Sequence, residues 1–386
     1  MLQSASAITF EIDDCEKALA ELQQQLSSMP LMQNTIGIMH FDPEFVYAGT
    51  VDYIAQHIGF PLAGCTSSTQ AVNTGLGDLC LTLLVLTADD VAFIPAHTTG
   101  FLNDPVGTSE QAFAVAAAQT TLPIRMALLF PPMQERIAGD FFADIFERLA
   151  PGLPTFGAIS IDETISSYTH CRTICGGGAL ENEFAFVLVC GNVNPRFIST
   201  TVPNKALLPT IGSITRASGN KLEEIDGKPA VAFFEQLSLA KDGKLGSGVD
   251  LVPVLLNPEA APGKPVSPYI RGILNFDENG AALFRGHVDK GASITIGSLS
   301  KSVLLDNTTE LADALNGEEV IHALILFSCI VRRCVCGETP QAEAELVRAR
   351  LKPDVPFIFA YAGGELCPMR LGNNSFQNFS LIACIL

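Results

Sequence analysis

Two cysteines, Cys65 and Cys329, stand where short apolar runs end, and the cation pair Arg332-Arg333 follows closely on the second. A cysteine becomes a nucleophile when a helix N-terminus or a neighbouring cation lowers its pKa, and Arg332 and Arg333 could do that for Cys329. A paired histidine is not evident: of the six in the chain, only His40 ends a comparable run. The plainer role for both cysteines is a small residue lining a pocket or turn. Arg332-Arg333 is scarce positive charge in an acidic chain. It can clamp a ligand carboxylate, or form a salt bridge to Glu338 or Glu343 on the following helix. Glu365, after Gly363 and Gly364, could receive a ligand ammonium or could cap backbone N–H groups of its own turn.

Other chemistry finds little support. The sequence has no G-x-G-x-x-G, Walker A, H-E-x-x-H or G-x-S-x-G pattern. Gly176-Gly177-Gly178 precedes an apolar run and reads as a flexible turn. Cys334 and Cys336, or His170, Cys171 and Cys175, could be offered to a metal, but neither group has paired structural-zinc spacing. Alternation in a strand would put Cys334 and Cys336 on one face, which packing explains equally well. No metal or cofactor is expected.

The elements that would position these residues recur three times. Ile321–Glu365 reads as an apolar run ending at Phe327-Ser328-Cys329, a charged helix over Glu343–Leu351, then Pro356 and a second apolar run Phe357–Tyr361. That is a β-α-β unit. The same order occurs from Ile36 to Cys65 and from Met126 to Ala158, each first strand stopping at a Phe and each second strand opening at a Pro. A polar residue lies nine positions beyond each Pro, at Gln70, Glu163 and Glu365. Each unit also has a third apolar run, expected to return antiparallel to the second: Leu79–Leu86, Glu183–Cys190 and Asn378–Ala383. The fold class is therefore mixed α/β, with repeated β-α-β-β units forming mixed sheets and helices packed on them. Ligands in such folds favour the crevice beyond the carboxyl ends of parallel strands. This places Cys65, Ser67 and Ser68, then Asp162, Cys329, Gly364 and Glu365, in the candidate loops.

Elsewhere the pattern predicts an amphipathic helix over Asp13–Met29 and an alanine-rich helix from Thr108-Ser109-Glu110 to Gln119. A strand, an Asp226-Gly227 turn and a helix opening at Pro229 follow. Gly243–Pro268 is rich in Gly and Pro and reads as a loop or lid.

Composition narrows the partners. The 386 residues carry a formal charge of −18, with 48% apolar and only 17% charged residues. An acidic chain disfavours nucleic acid and anionic membranes. No apolar run approaches a membrane span, and the N-terminus lacks the basic flank of a signal peptide. Eleven scattered cysteines suit free thiols in a reducing compartment, so a cytoplasmic location is expected.

With these residues laid out, the chain resembles the FIST family from about Asn34 to Ser380. Gly64-Cys65-Thr66-Ser67-Ser68 resembles the family's Gly-Cys-Ser-Thr-Ala turn, and Phe156–Asp162 its Phe-Gly-Gly-x-Ala-x-Asp segment. Ala217-Ser218-Gly219-Asn220 with Asp226–Ala230 is similar to the Ala-x-Gly-Asn…Asp-Gly-Lys-Pro-Ala signature. Ile270–Ile273, Phe327-Ser328-Cys329 with Arg332-Arg333, Gly364–Pro368 and Gln377-Asn378-Phe379-Ser380 complete the set. Two departures stand out: Thr69-Gln70 replaces the family's Gly-Glu, and Gln377 replaces its His, which would favour a less cationic ligand.

The resemblance implies an N-terminal module (1–212) and a C-terminal module (213–386) acting together as a sensory domain for small ligands such as amino acids, with output through a signalling partner protein. The expected ligand residues are Cys65, Ser67, Ser68, Asp162, Cys329, Arg332, Arg333, Gly364, Glu365 and Asn378. Two other readings remain open: an enzyme of amino-acid or amide metabolism using Cys65 or Cys329, and an adaptor that binds a partner protein alone.

Overall fold

The computed structural model describes residues 2–134, 137–162, 169–258, 267–368 and 374–386. Three parallel strand pairs organise it, each linked through a helix: Asn34–Phe41 with Leu62–Thr66, Ile124–Phe130 with Thr155–Ala158, and Leu324–Cys329 with Phe357–Ala362. These strands read as unbroken apolar runs because both faces are covered. Ile38, Leu128 and Ile325 face one central core shared by all three units, while Met39, Leu129 and Leu326 face outward under helices. The helix Asp140–Leu149 shows the match, burying Phe142, Ala143, Ile145 and Phe146 at helical spacing.

The third strand of each unit lies beside the first strand, not the second as expected. Leu81–Ala88 pairs with Asn34–Phe41, Ala185–Gly191 with Ile124–Phe130, and Leu381–Ile385 with Leu324–Cys329. The second strand is left free to pair elsewhere, and a hairpin from another unit occupies it. Ser68–Val72 joins Phe357–Ala362, Thr173–Gly176 joins Leu62–Thr66, and Glu365–Pro368 joins Thr155–Ala158. Each unit thus lends one hairpin to the next around a ring, and the three six-stranded sheets share one strand order.

An inserted β-rich domain separates the edge strand Arg196–Thr200 of the third sheet from its helix Lys301–Asn316. Its strands, from Gly212–Ser218 to Ser293–Ile296, enclose a core of their own around Ile214, Phe234, Leu256 and Ile294. The Asp226-Gly227 turn has positive φ at both residues, 51° and 74°, and leads through Lys228-Pro229 into the helix Ala230–Gln236, as the sequence predicts.

Several boundaries differ from expectation. The alanine-rich helix begins at Pro105, because the Asp104 side chain already accepts the Gly107 N–H. Cys334 lies on the helix Ile330–Val335 and Cys336 caps it, so strand alternation does not relate them. Gly243–Pro268 is not structureless over its described part. It contains Lys244–Leu245, a 3₁₀ turn Val249–Leu251 and the strand Val254–Asn257, and 259–266 lie outside the described residues. Glu163 is outside them too. Thr173 stands opposite Cys65, as Glu365 stands opposite Ala158 and Gln70 opposite Ala360.

Candidate functional site

The carboxyl ends of the parallel strands meet in a polar layer that closes the central core. By strand alternation, His40, Thr82 and Thr173 face inward in the first sheet. In the same row are Phe130, Ala158 and Glu365 in the second sheet, and Phe327, Ala360 and Gln70 in the third. His40 packs edge-on against Phe130 and Phe327, with ring centroids 5.8 and 5.1 Å away. The equivalent residue in the first unit is thus His40, not Phe41. Thr82 Oγ1 donates to Gln70 Oε1 at 2.9 Å, tying the first sheet to the third.

Cys65 Sγ is 3.8 Å from His40 Nδ1 and 3.8 Å from the Ala158 carbonyl, and both side chains are fully buried. Burial pulls the His40 pKa down to about 3 and pushes the Cys65 thiol well above its ordinary value. The pair is therefore a neutral imidazole beside a neutral thiol at physiological pH. Among the described residues, His40 Nε2, Gln70 Nε2, Ser67 Oγ and Glu365 Oε1 are buried without a hydrogen-bond partner.

Glu365 is fully buried, and its Oε2 accepts from Ser380 Oγ at 2.6 Å. Burial holds its carboxyl well above the usual carboxylate range, against the opposing pull of Ser380 and Arg332. Cys329 ends the first strand of the third unit. Burial, then the nearby Glu365, raises its thiol well above normal.

Arg332 does not face a ligand space. It is wholly buried and binds Glu343 through Nε at 3.1 Å and Nη2 at 2.5 Å, with further bonds to Thr308 and Asn307. Burial works against its charge, but Glu343 more than offsets this and its pKa is raised. Glu343 also accepts from Ser328 Oγ at 2.6 Å. Arg333 turns the other way, donating to Thr69 Oγ1 at 2.8 Å and Asp78 Oδ1 at 3.3 Å. The two cations therefore do not form one clamp.

The remaining expected residues divide between two places. Ser67 and Ser68 lie in the turn after Cys65, where Ser67 N donates to Phe41 O at 3.0 Å and Ser68 pairs with Tyr361. Asp162 is buried next to Ile161, whose N–H donates to Thr66 O at 3.1 Å, so it borders that same turn. Cys329 and Asn378 instead line, together with Gly363, a cavity of about 30 Å³ between the second and third sheets and the inserted domain. Gly364 and Glu365 stand immediately behind it. Gly364 has φ +147°, and a Cβ there would overlap the Phe376 ring, so the turn requires glycine. Asn378 Oδ1 accepts the Gly272 N–H of the inserted domain at 3.2 Å.

Sequence reasoning missed the far wall: Asp250, Gly272, Ile273, Leu274 and Arg285 of the inserted domain, with Met133 and Ile161 of the second unit. Arg285 Nη1 lies 3.8 Å from Met133 Sδ. Gly272, Ile273 and Ile161 fall in the family-like segments Ile270–Ile273 and Phe156–Asp162, but no local pattern marks Met133, Asp250, Leu274 or Arg285, and docking of the inserted domain brings its residues to the cleft. The arrangement combines apolar walls (Ile161, Ile273, Leu274, Ile330, Val331) with an acid, a guanidinium and an amide.

The architecture is a mixed α/β body of three sheets with an inserted β domain, carrying a small, mainly apolar cleft and a buried polar layer at its strand ends. Residues 35–228 match the FIST N domain and residues 230–368 the FIST C domain. The chain belongs to the FIST family, whose domains are sensory domains of signal transduction. No curated protein matches the chain. No helix among the described residues is long and apolar enough to cross a membrane.

Proposed function

We propose that this protein is a cytoplasmic sensor of a small zwitterionic metabolite, an amino acid or a close analogue, and passes its signal to a protein partner. One observation carries the reading: Cys329 and Asn378, at strand ends of the third unit, converge with Asp250 and Arg285 on one cleft. Asp250 would meet the ligand ammonium and Arg285 its carboxylate, with Asn378 positioning both and the apolar walls receiving the side chain. Arg332 acts indirectly, by fixing Glu343 and Ser328 beneath Cys329. A reducing compartment is supported by eleven free cysteines, mostly buried.

The test is calorimetric titration of the twenty standard amino acids into wild type, Arg285→Ala and Asn378→Ala. At least one amino acid should bind. A charge-assisted hydrogen bond contributes roughly 1.5–3 kcal/mol, so Arg285→Ala should weaken that binding about tenfold to a hundredfold. Binding of none of the twenty by folded wild type sinks the reading.

A further inference from the structure

We propose that the inserted β domain is a hinged cover: held shut by Arg271 on Asp140, it swings about a tether at Leu207 and Gly297 to open the cleft at Cys329 and Asn378. The volume of the cleft is the first argument. At about 30 Å³ it holds one water. Sites for small molecules are usually some 300 Å³ or more, so a wall must move before anything larger than water enters. The walls contributed by the three-sheet body, Met133, Ile161, Cys329, Ile330 and Val331, belong to the large core cluster outside its central core. The inserted domain adds only Ile270, with Leu251 and Leu255 partly buried beside it, to that cluster and otherwise closes on its own core.

That domain has its own core and connects to the body at a single place. Its two chain crossings run side by side: Leu207 bridges Gly297, Leu208 N donates to Ile296 O at 2.9 Å, and Ser298 N donates to Ala206 O at 2.9 Å. A body with its own core on paired tethers is free to rotate as a unit.

The latch is polar and compact. Arg271 Nη2 donates to Asp140 Oδ1 at 2.6 Å, and His287 N to Asp140 Oδ2 at 2.5 Å, so both carboxylate oxygens hold the inserted domain. Arg271 Nη1 also reaches Phe376 O at 3.0 Å, and its guanidinium lies over Tyr269, 4.2 Å from the ring centroid. The Phe376 ring sits among Gly139, Gly286 and Gly364, where any Cβ would overlap it. These contacts converge on one carboxylate and one ring, an arrangement that a locally opening unit would break in a single step.

The inference rests on the proposed ligand reading for what enters, but its test needs no ligand. The probe is methyl methanethiosulfonate, with modification read by mass spectrometry at Cys329 and at Cys384, which lies fully buried in the central core and reports global unfolding. Asp140→Ala removes the latch from the body side. Gly286→Ala disturbs it from the cover, since a Cβ there would overlap the Asp140 carboxylate and Arg271 Nε. Both variants should speed Cys329 modification by about tenfold or more, with Cys384 unchanged. No change at Cys329, or a rise only in step with Cys384, overturns the proposal. If both variants fail to fold, native-state hydrogen exchange on wild type decides. The Gly139, Gly272 and His287 amides should exchange faster than those of Leu256 in the cover and Leu326 in the body; equal rates overturn it. Failure of every amino acid to bind would leave the labelling result untouched.

Discussion

Glu365 and Gln70 occupy the same place in two of the three sheets, opposite Ala158 and Ala360, and both are fully buried. The hydroxyl partner differs in kind: Ser380 donates to Glu365, while Thr82 donates to Gln70. An amide therefore already fills this environment once.

Glu365→Gln should consequently stabilise the protein above the ordinary Glu range. The folded-state pKa is raised, chiefly by burial. Between the unfolded value near 4.3 and the raised folded value, the folded chain holds a proton that the unfolded chain has released. Stability then falls as pH rises, by about 1.4 kcal/mol per pH unit for one proton. Urea unfolding from pH 4 to 8 should show that decline in wild type and a flatter curve in the variant. Parallel curves would mean that Glu365 ionises normally.

Arg332 and Glu343 form a closed pair, neither exposed at all. Removing one partner strands the other, so Glu343→Gln and Arg332→Met should each cost about 3–5 kcal/mol in urea unfolding. Arg332→Met with Glu343→Leu should recover most of the loss, because apolar groups of similar volume can replace a buried ion pair. A double variant as unstable as the sum of the singles would contradict this.

The sequence makes both members of that pair legible but not which role they take. Arg332 stands out as rare positive charge, and Glu343 is one of the two carboxylates beyond it offered as a partner. Only burial decides between ligand clamp and structural pair, and burial depends on packing from Asn307, Thr308 and Phe379 far along the chain. The strand–helix–strand units were legible for a local reason: apolar runs ended by turns and reopened at Pro61, Pro154 and Pro356 within one short span each. The hairpin exchange was not, because it pairs Gln70 with Ala360 and Glu365 with Ala158 across hundreds of residues. No periodicity records such a pairing. The same long-range docking places Asp250 and Arg285 beside Cys329, so half of the cleft could not be read locally.

His287 gives the latch region a pH dependence. Its pKa is raised, mainly by the hydrogen bond to Asp289, with Asp140 adding and burial and Arg271 opposing. Because the folded value lies above the unfolded one near 6.5, its contribution is complete below about pH 6.5 and is lost as pH rises through the folded pKa. Asp289 shifts down through the same bond, so its share is lost only as pH falls through its own lowered value. Asp144, held up by burial and Asp140, also faces this cluster. The His287 side chain is about half exposed, so the effect should stay below about 1 kcal/mol. An NMR titration should place the His287 pKa above the ordinary value, and His287→Gln should remove the alkaline decline. A His287 pKa at or below the ordinary value would refute the pairing.

The exchanged hairpins are pinned by two asparagines in corresponding roles. Asn73 Oδ1 accepts Phe357 N at 3.1 Å and its Nδ2 donates to Val355 O at 2.7 Å. Asn374 Oδ1 accepts Thr155 N at 2.8 Å and its Nδ2 donates to Leu153 O at 2.8 Å. Each side chain thus brackets a proline, Pro356 or Pro154, which has no N–H to give to a neighbouring strand. The amide satisfies backbone groups on either side that the hairpin alone leaves open. Asn73→Ala and Asn374→Ala should each cost about 1–3 kcal/mol, since both a donor and an acceptor lose their partners. The two lie in different sheets and share no partner, so the double variant should equal the sum to within about 0.5 kcal/mol. Asn→Asp should not rescue either site, because a carboxylate keeps the acceptor but faces the Val355 or Leu153 carbonyl without a donor. Urea denaturation of the single, double and Asp variants measures all three points. Loss below about 0.5 kcal/mol in both alanine variants would show that strand pairing alone holds the exchanged hairpins.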